Sequence, residues 1–79
     1  MKLEIITPET QIFSGNVTSV TLPGKLGFFT LWEDHAPLIS SLAAGKMRYV
    51  SEGKETEIEI DGGFAEVNKN KVIVCLEIV

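Results

Sequence analysis

The sequence predicts an all-β domain, an antiparallel sandwich or barrel of eight to ten short strands. Three observations carry this reading. Apolar and polar residues alternate in segments such as Thr56-Glu57-Ile58-Glu59-Ile60-Asp61, and Val17 to Leu22 is rich in β-branched residues. Turn signals built on Gly, Pro and Asn interrupt such segments about every 6–12 residues. No helical stripe survives, because the best candidate, Leu38 to Ala44, spans only seven residues.

Taken in order, Lys2 to Thr7 alternates well enough for a first strand, which Pro8 ends. Thr10 to Phe13 makes a second, and Ser14-Gly15-Asn16 is read as the turn after it. Val17 to Leu22 is the third, stopped by Pro23-Gly24, and Leu26 to Leu31 is the fourth. Pro37 to Leu42 makes a further short strand after the polar corner Glu33-Asp34-His35, where Pro37 favours an extended Ala36. Lys46 to Ser51 and Thr56 to Asp61 flank a hairpin with Gly53 at its tip. Gly62-Gly63 is a break where the chain bends or a neighbour approaches closely. Phe64 to Asn68 follows, then a turn at Asn68 to Lys71, then an apolar strand from Val72 to Val79 packed on both faces.

Composition bounds the function. A chain of 79 residues is one domain, and its seven basic against eleven acidic residues give a net charge of −4. That balance opposes nucleic-acid binding and docking on anionic lipid. Five acids (Glu52, Glu55, Glu57, Glu59, Asp61) cluster, mostly on the wet face of a strand. No apolar run approaches the ~18 residues of a membrane span, and Glu4 interrupts any signal-peptide core. Cys75 is the only cysteine and His35 the only histidine, so neither an internal disulfide nor a structural zinc site can form. Cys75 reads as a small hydrophobe within a strand.

Three function classes are open to such a chain. Catalysis would begin at Glu33-Asp34-His35, but adjacent residues of an extended segment point apart, and no nucleophile elbow or Walker spacing is present. His35 reads instead as a hydrogen-bonding corner residue. A swinging-arm carrier would use Lys46, yet Gly45 replaces the first Met of the Met-Lys-Met motif and Lys46 begins a long strand. A binding module explains the segment Pro23 to Leu42 better. It gathers Phe28, Phe29 and Trp32 among glycines and prolines, as protein contacts do. Consecutive strand residues face opposite ways, so one of Phe28 and Phe29 faces in and the other out.

Order and spacing of several short motifs narrow this further. Ile6-Thr7-Pro8-Glu9, Ile12-Phe13-Ser14-Gly15, Pro23-Gly24-Lys25-Leu26-Gly27, His35-Ala36-Pro37-Leu38 and Gly62-Gly63-Phe64-Ala65-Glu66-Val67 precede a final Val72-Ile73-Val74 strand. Over essentially its whole length the chain resembles the N-terminal domain of the epsilon subunit of F-type ATP synthases. The resemblance implies a flattened, roughly ten-stranded β-sandwich in the central stalk, monomeric when isolated. It implies binding to the gamma subunit and the c-ring, coupling of proton flow to ATP synthesis, no catalysis and no cofactor. It places the domain peripherally at the cytoplasmic face of the plasma membrane.

Carried over by position, Gly24, Lys25, Leu26, Gly27 and Phe28 lie at the c-ring end, and Thr7, His35, Ala36, Pro37 and Leu38 lie near gamma. Leu26 and one Phe support the loop. Phe28 stands where the family often has an acidic or polar residue, which implies a more apolar contact. Trp32-Glu33-Asp34 replaces a Pro-Gly-like turn before His35. The family's C-terminal helical hairpin, which can inhibit hydrolysis or bind ATP, has no counterpart up to Val79. The expectation is a rotor subunit of one domain, residues 1–79, without that arm or an ATP site.

Overall fold

The computed structural model describes residues 1–77. They form nine strands, and among them there is no helix. The strands are β1 (Lys2–Ile6), β2 (Gln11–Asn16), β3 (Ser19–Gly24), β4 (Gly27–Leu31), β5 (Leu38–Leu42), β6 (Gly45–Ser51), β7 (Lys54–Ile60), β8 (Gly63–Asn68) and β9 (Lys71–Leu76). The last strand, expected from Val72 to Val79, starts at Lys71 and gives way at Glu77, and residues 78 and 79 lie outside the described residues.

A single curled sheet runs β2-β1-β9-β8-β5-β3-β6-β7, with β4 paired to β3. Its two arms join where Gly24 of β3 pairs with Leu42 of β5. The curl turns one face of each arm inward, and the domain measures 30 × 24 × 19 Å. Leu3, Ile5, Ala65, Val67, Val72 and Val74 from one arm are buried together with Val20, Leu22, Leu31, Met47 and Ile60 from the other. Period-two alternation puts these residues on one face of each strand. The rings of Phe13 on β2 and Tyr49 on β6 meet with centroids 4.5 Å apart, tilted by 36°.

The antiparallel expectation needs one correction, because β1 and β9 pair in parallel from Lys2↔Lys71 to Ile6↔Cys75. This pairing joins the first strand to the last described one, and local turn chemistry carries no trace of it. A second correction concerns Ser14-Gly15-Asn16, which is strand: Ser14, Gly15 and Asn16 pair with Glu4, Leu3 and Lys2. The ring of Phe13 lies over Gly15, within 3.1 Å of where a Cβ would stand, and so covers the backbone that glycine leaves bare. Pro23 and Gly24 also stay in β3, opposite Phe28 and Gly27. Pro23 is tolerated because β3 there has left β6 and meets β5 at one residue pair only.

The hairpin between β6 and β7 closes on Glu52-Gly53, both at positive φ (53° and 75°), as a two-residue turn of type I′ requires. Lys46 lies within β6 opposite Glu59, away from that tip. Cys75 occupies β9 between two paired strands and is half-buried on the face turned away from the core. The strand is therefore packed tightly on one face only.

Candidate docking groove and its two ends

The Gly24–Phe28 segment is a β3–β4 hairpin whose two loop residues, Lys25 and Leu26, lie between the paired Gly24 and Gly27. Gly24 is required sterically: a Cβ there would stand 2.8 Å from the Gly27 carbonyl and 2.9 Å from the Phe29 ring. Gly27 adopts φ 130°, a conformation that side chains disfavour. The Lys25 N–H donates to the Ser41 carbonyl at 3.3 Å and the Ala43 N–H to the Pro23 carbonyl at 2.8 Å, which tie the hairpin to β5.

From this anchored base Leu26 projects fully, at 106% relative exposure, with Phe28 65% exposed beside it. Phe29 turns in against the core, so the expected split between the two phenylalanines holds. The expectation that Leu26 supports the loop does not hold, since its side chain touches no other part of the fold closely enough to be covered.

The polar corner before His35 is built by its own hydrogen bonds. Asp34 takes φ 59°, the conformation a glycine would supply in a Pro-Gly-like turn, and aspartate is among the residues that tolerate it. Its N–H donates to Asn70 Oδ1 at 2.8 Å, and Asn70 Nδ2 donates back to Asp34 Oδ1 at 3.0 Å. The corner is thus clamped to the β8–β9 turn. The Glu33 carboxylate lies 3.5 Å from the N-terminal ammonium, while Trp32 stays largely exposed. His35 Nδ1 stands 2.8 Å from the Ala36 carbonyl, which can only accept, so the Nδ1–H tautomer donates there.

These two ends border one groove. Gly24, Lys25 and Phe28 flank a hollow with Phe29, Ile39 and Ser41, and a second hollow sharing Phe29, Ile39 and Ser40 continues to His35 and Leu38. Ala36 and Pro37 are exposed beside it, and Pro37 with Leu38 edges a shallow depression toward Glu66 and Asn68. Thr7 is not brought to His35. Its hydroxyl accepts the N–H groups of Glu9 (3.3 Å) and Thr10 (3.1 Å), and it lines a separate groove with Lys25, Phe64 and Cys75 at the loop end.

Among the described residues no three His, Cys, Asp or Glu side chains lie where they could hold a metal ion. Glu33, Asp34 and His35 are each engaged with a different partner. Burial pushes the Cys75 thiol above its ordinary pKa, with the Glu66 carboxylate adding to the shift, which suppresses the thiolate.

Residues 1–79 match the family described as the ATP synthase, delta/epsilon chain, β-sandwich domain. The chain belongs to this family. It is 47% identical over 77 residues to the ATP synthase epsilon chain of Chlorobium limicola, covering 96% of this chain and 88% of that one. It is 45% identical to the epsilon chain of Pelotomaculum thermopropionicum, where it covers 92% of this chain and only 54% of the relative. Among solved structures, a chain of the Euglena gracilis mitochondrial ATP synthase superposes with TM-score 0.88 at 26% identity, covering 94% of this chain and 48% of that one. A chain from the central stalk and c-ring of the Tetrahymena thermophila enzyme shares the fold, with TM-score 0.83 at 11% identity and coverage of 98% and 63%.

Within this epsilon-type domain, sequence reasoning missed Ile39, Ser40 and Ser41 as groove residues. Ile39 is 73% exposed, and the signal was available: once Leu38 and Leu42 face inward, alternation sends Ile39 out. Phe64, about half exposed, pairs with Ser41 across β5 and β8 and widens the apolar surface at the loop end.

Proposed function

We propose that this chain is the β-sandwich domain of a central-stalk rotor subunit in a proton-translocating F-type ATP synthase, where it couples proton flow to ATP synthesis without catalysing it. The Gly24–Phe28 hairpin meets the c-ring and the His35–Leu38 corner meets gamma, with Thr7 contributing beside the hairpin. The complex holds it peripherally at the cytoplasmic face of the membrane. One observation supports this most: Leu26 and Phe28 are left bare on a hairpin whose base is fixed to β5. Exposed apolar groups on a fixed backbone suit a contact that must carry torque, because little side-chain or loop entropy is lost on docking.

Co-purification of the tagged chain with the gamma subunit of the same genome tests the reading. Wild type is expected to bind, and His35→Ala and Leu38→Ala are expected to weaken binding with circular dichroism unchanged. Failure of the folded wild type to bind gamma would refute the assignment of the partner. Binding indifferent to both changes would move the interface elsewhere.

A further inference from the structure

β5 has one complete edge and one incomplete edge. Along the first, all five residues from Leu38 to Leu42 pair with β8. Along the second, β3 meets it only at Gly24↔Leu42. The Ser41 carbonyl and the Ala43 N–H point to β3, where they engage Lys25 and Pro23. Backbone groups alternate along an antiparallel strand, so Ile39, two residues earlier, turns its N–H and C=O to that same edge. Among the described residues no strand stands there, because β3 has already turned away into Lys25-Leu26.

Two of the other edges are guarded, while β4, which among the described residues pairs only with β3, is open like β5 but is spanned by no hydrogen bond that fixes it to a second strand. β7 carries Glu55, Glu57 and Glu59, and a register break interrupts β2 against β1 near Ile6. The open stretch of β5 carries no charge, and its outward side chain, Ile39, is bare. None of the eleven acids of this net-negative chain lines the groove, whereas Lys25 stands at one end and the sole histidine at the other.

We propose that the stalk partner inferred above, gamma, docks here by strand addition. An extended apolar segment of gamma, continuous with its contact at the His35–Leu38 corner, runs along the open edge of β5, pairs its backbone with Ile39 and stops short of the Lys25-Leu26 hairpin that meets the c-ring. This rests on the reading of gamma as the partner, and adds how it binds.

Two measurements test it. Amide hydrogen exchange followed by NMR is expected to show the Ile39 and Ser41 amides exchanging rapidly in the isolated chain and protected at least about tenfold in the gamma complex, as a newly formed backbone hydrogen bond requires. Ile39→Pro removes the N–H without touching the β5–β8 ladder. It is expected to keep the native spectrum and weaken gamma binding about tenfold or more, the scale of one or two backbone hydrogen bonds. Ile39→Val should bind nearly as wild type. A formed complex with the Ile39 amide still exchanging freely would overturn strand addition and leave the gamma assignment standing. So would undiminished binding by Ile39→Pro. No complex at all would overturn both, and a homodimer of the isolated chain with Ile39 protected would replace gamma by a second copy. If Ile39→Pro does not fold, the exchange measurement on wild type decides alone.

Discussion

Gly63→Ala is the sharpest test of how this sheet closes. Gly63 opens β8 at φ 144°, and a Cβ built on it would lie 2.1 Å from the carbonyl oxygen of Cys75 and 3.1 Å from its carbonyl carbon. Both obstacles are backbone of β9, which is held on its far side by β1 and cannot rotate away as a side chain could. The backbone conformation alone costs about 1–3 kcal/mol for a residue with a Cβ. Parting the two strands by roughly 1 Å, the distance needed to reach van der Waals contact, disturbs a ladder hydrogen bond and the adjacent packing for about 2 kcal/mol more. The sum, about 3–5 kcal/mol, is a large share of the ~4–12 kcal/mol expected for a domain of this size. Gly27→Ala is the control: its φ of 130° is equally unfavourable, but nothing lies within 4 Å of the added Cβ. It should lose only the conformational part, about 1–3 kcal/mol. Urea denaturation followed by circular dichroism gives both numbers. Equal losses for the two variants would refute the argument from the Cys75 carbonyl.

Further predictions concern the site. Leu26→Ser should leave the thermal midpoint unchanged within error, because the side chain is already fully exposed, and should weaken association with an isolated c-ring. Asn70→Ala should cost about 1–2 kcal/mol in chemical denaturation through the loss of both bonds to Asp34, whereas Asp34→Gly should cost less because glycine accepts the positive φ. Cys75, its thiol pKa raised by burial and by Glu66, should be alkylated by iodoacetamide more slowly than a free thiol at pH 8. Unfolding should restore the ordinary rate, and Glu66→Gln should recover a smaller part of it.

Much of the fold was legible because it is written in short-range patterns. Two-residue turns, alternation in β7 and the breaks at Gly62-Gly63 and Asn70 each act over a few neighbouring residues. What escaped was long-range or compensated. Parallel pairing of β1 with β9 depends on closing the whole chain. Ser14-Gly15-Asn16 has the composition of a turn, yet the Phe13 ring covers Gly15 and lets the strand run on. Asp34 stands where a glycine-like conformation is needed, and its clamp, Asn70, lies 36 residues away. At the site, motif order located the hairpin and the corner, but not the strand between them. β5 is short and ordinary in sequence, and what makes Ile39 unusual is that no described strand pairs with it on one edge, which topology decides.

That edge explains why the two ends of the groove belong together. The hairpin hangs on β5 through Ser41 and Ala43, and the His35 corner leads directly into Leu38, the first residue of the same strand. β5 is in turn laddered to β8, β9 and β1 in succession. A load applied at Leu26 therefore passes through backbone hydrogen bonds to β5 and along it to the corner. Under the function proposed above, sharing one laddered strand lets the two ends pass a turn from one partner to the other with little loss in bending. Cutting that link should uncouple the ends: Ser40→Pro removes a β5–β8 ladder donor. It should loosen the corner and the hairpin together, seen as faster amide exchange at both Lys25 and Leu38, whereas loosening confined to the nearer end would show that they are held independently.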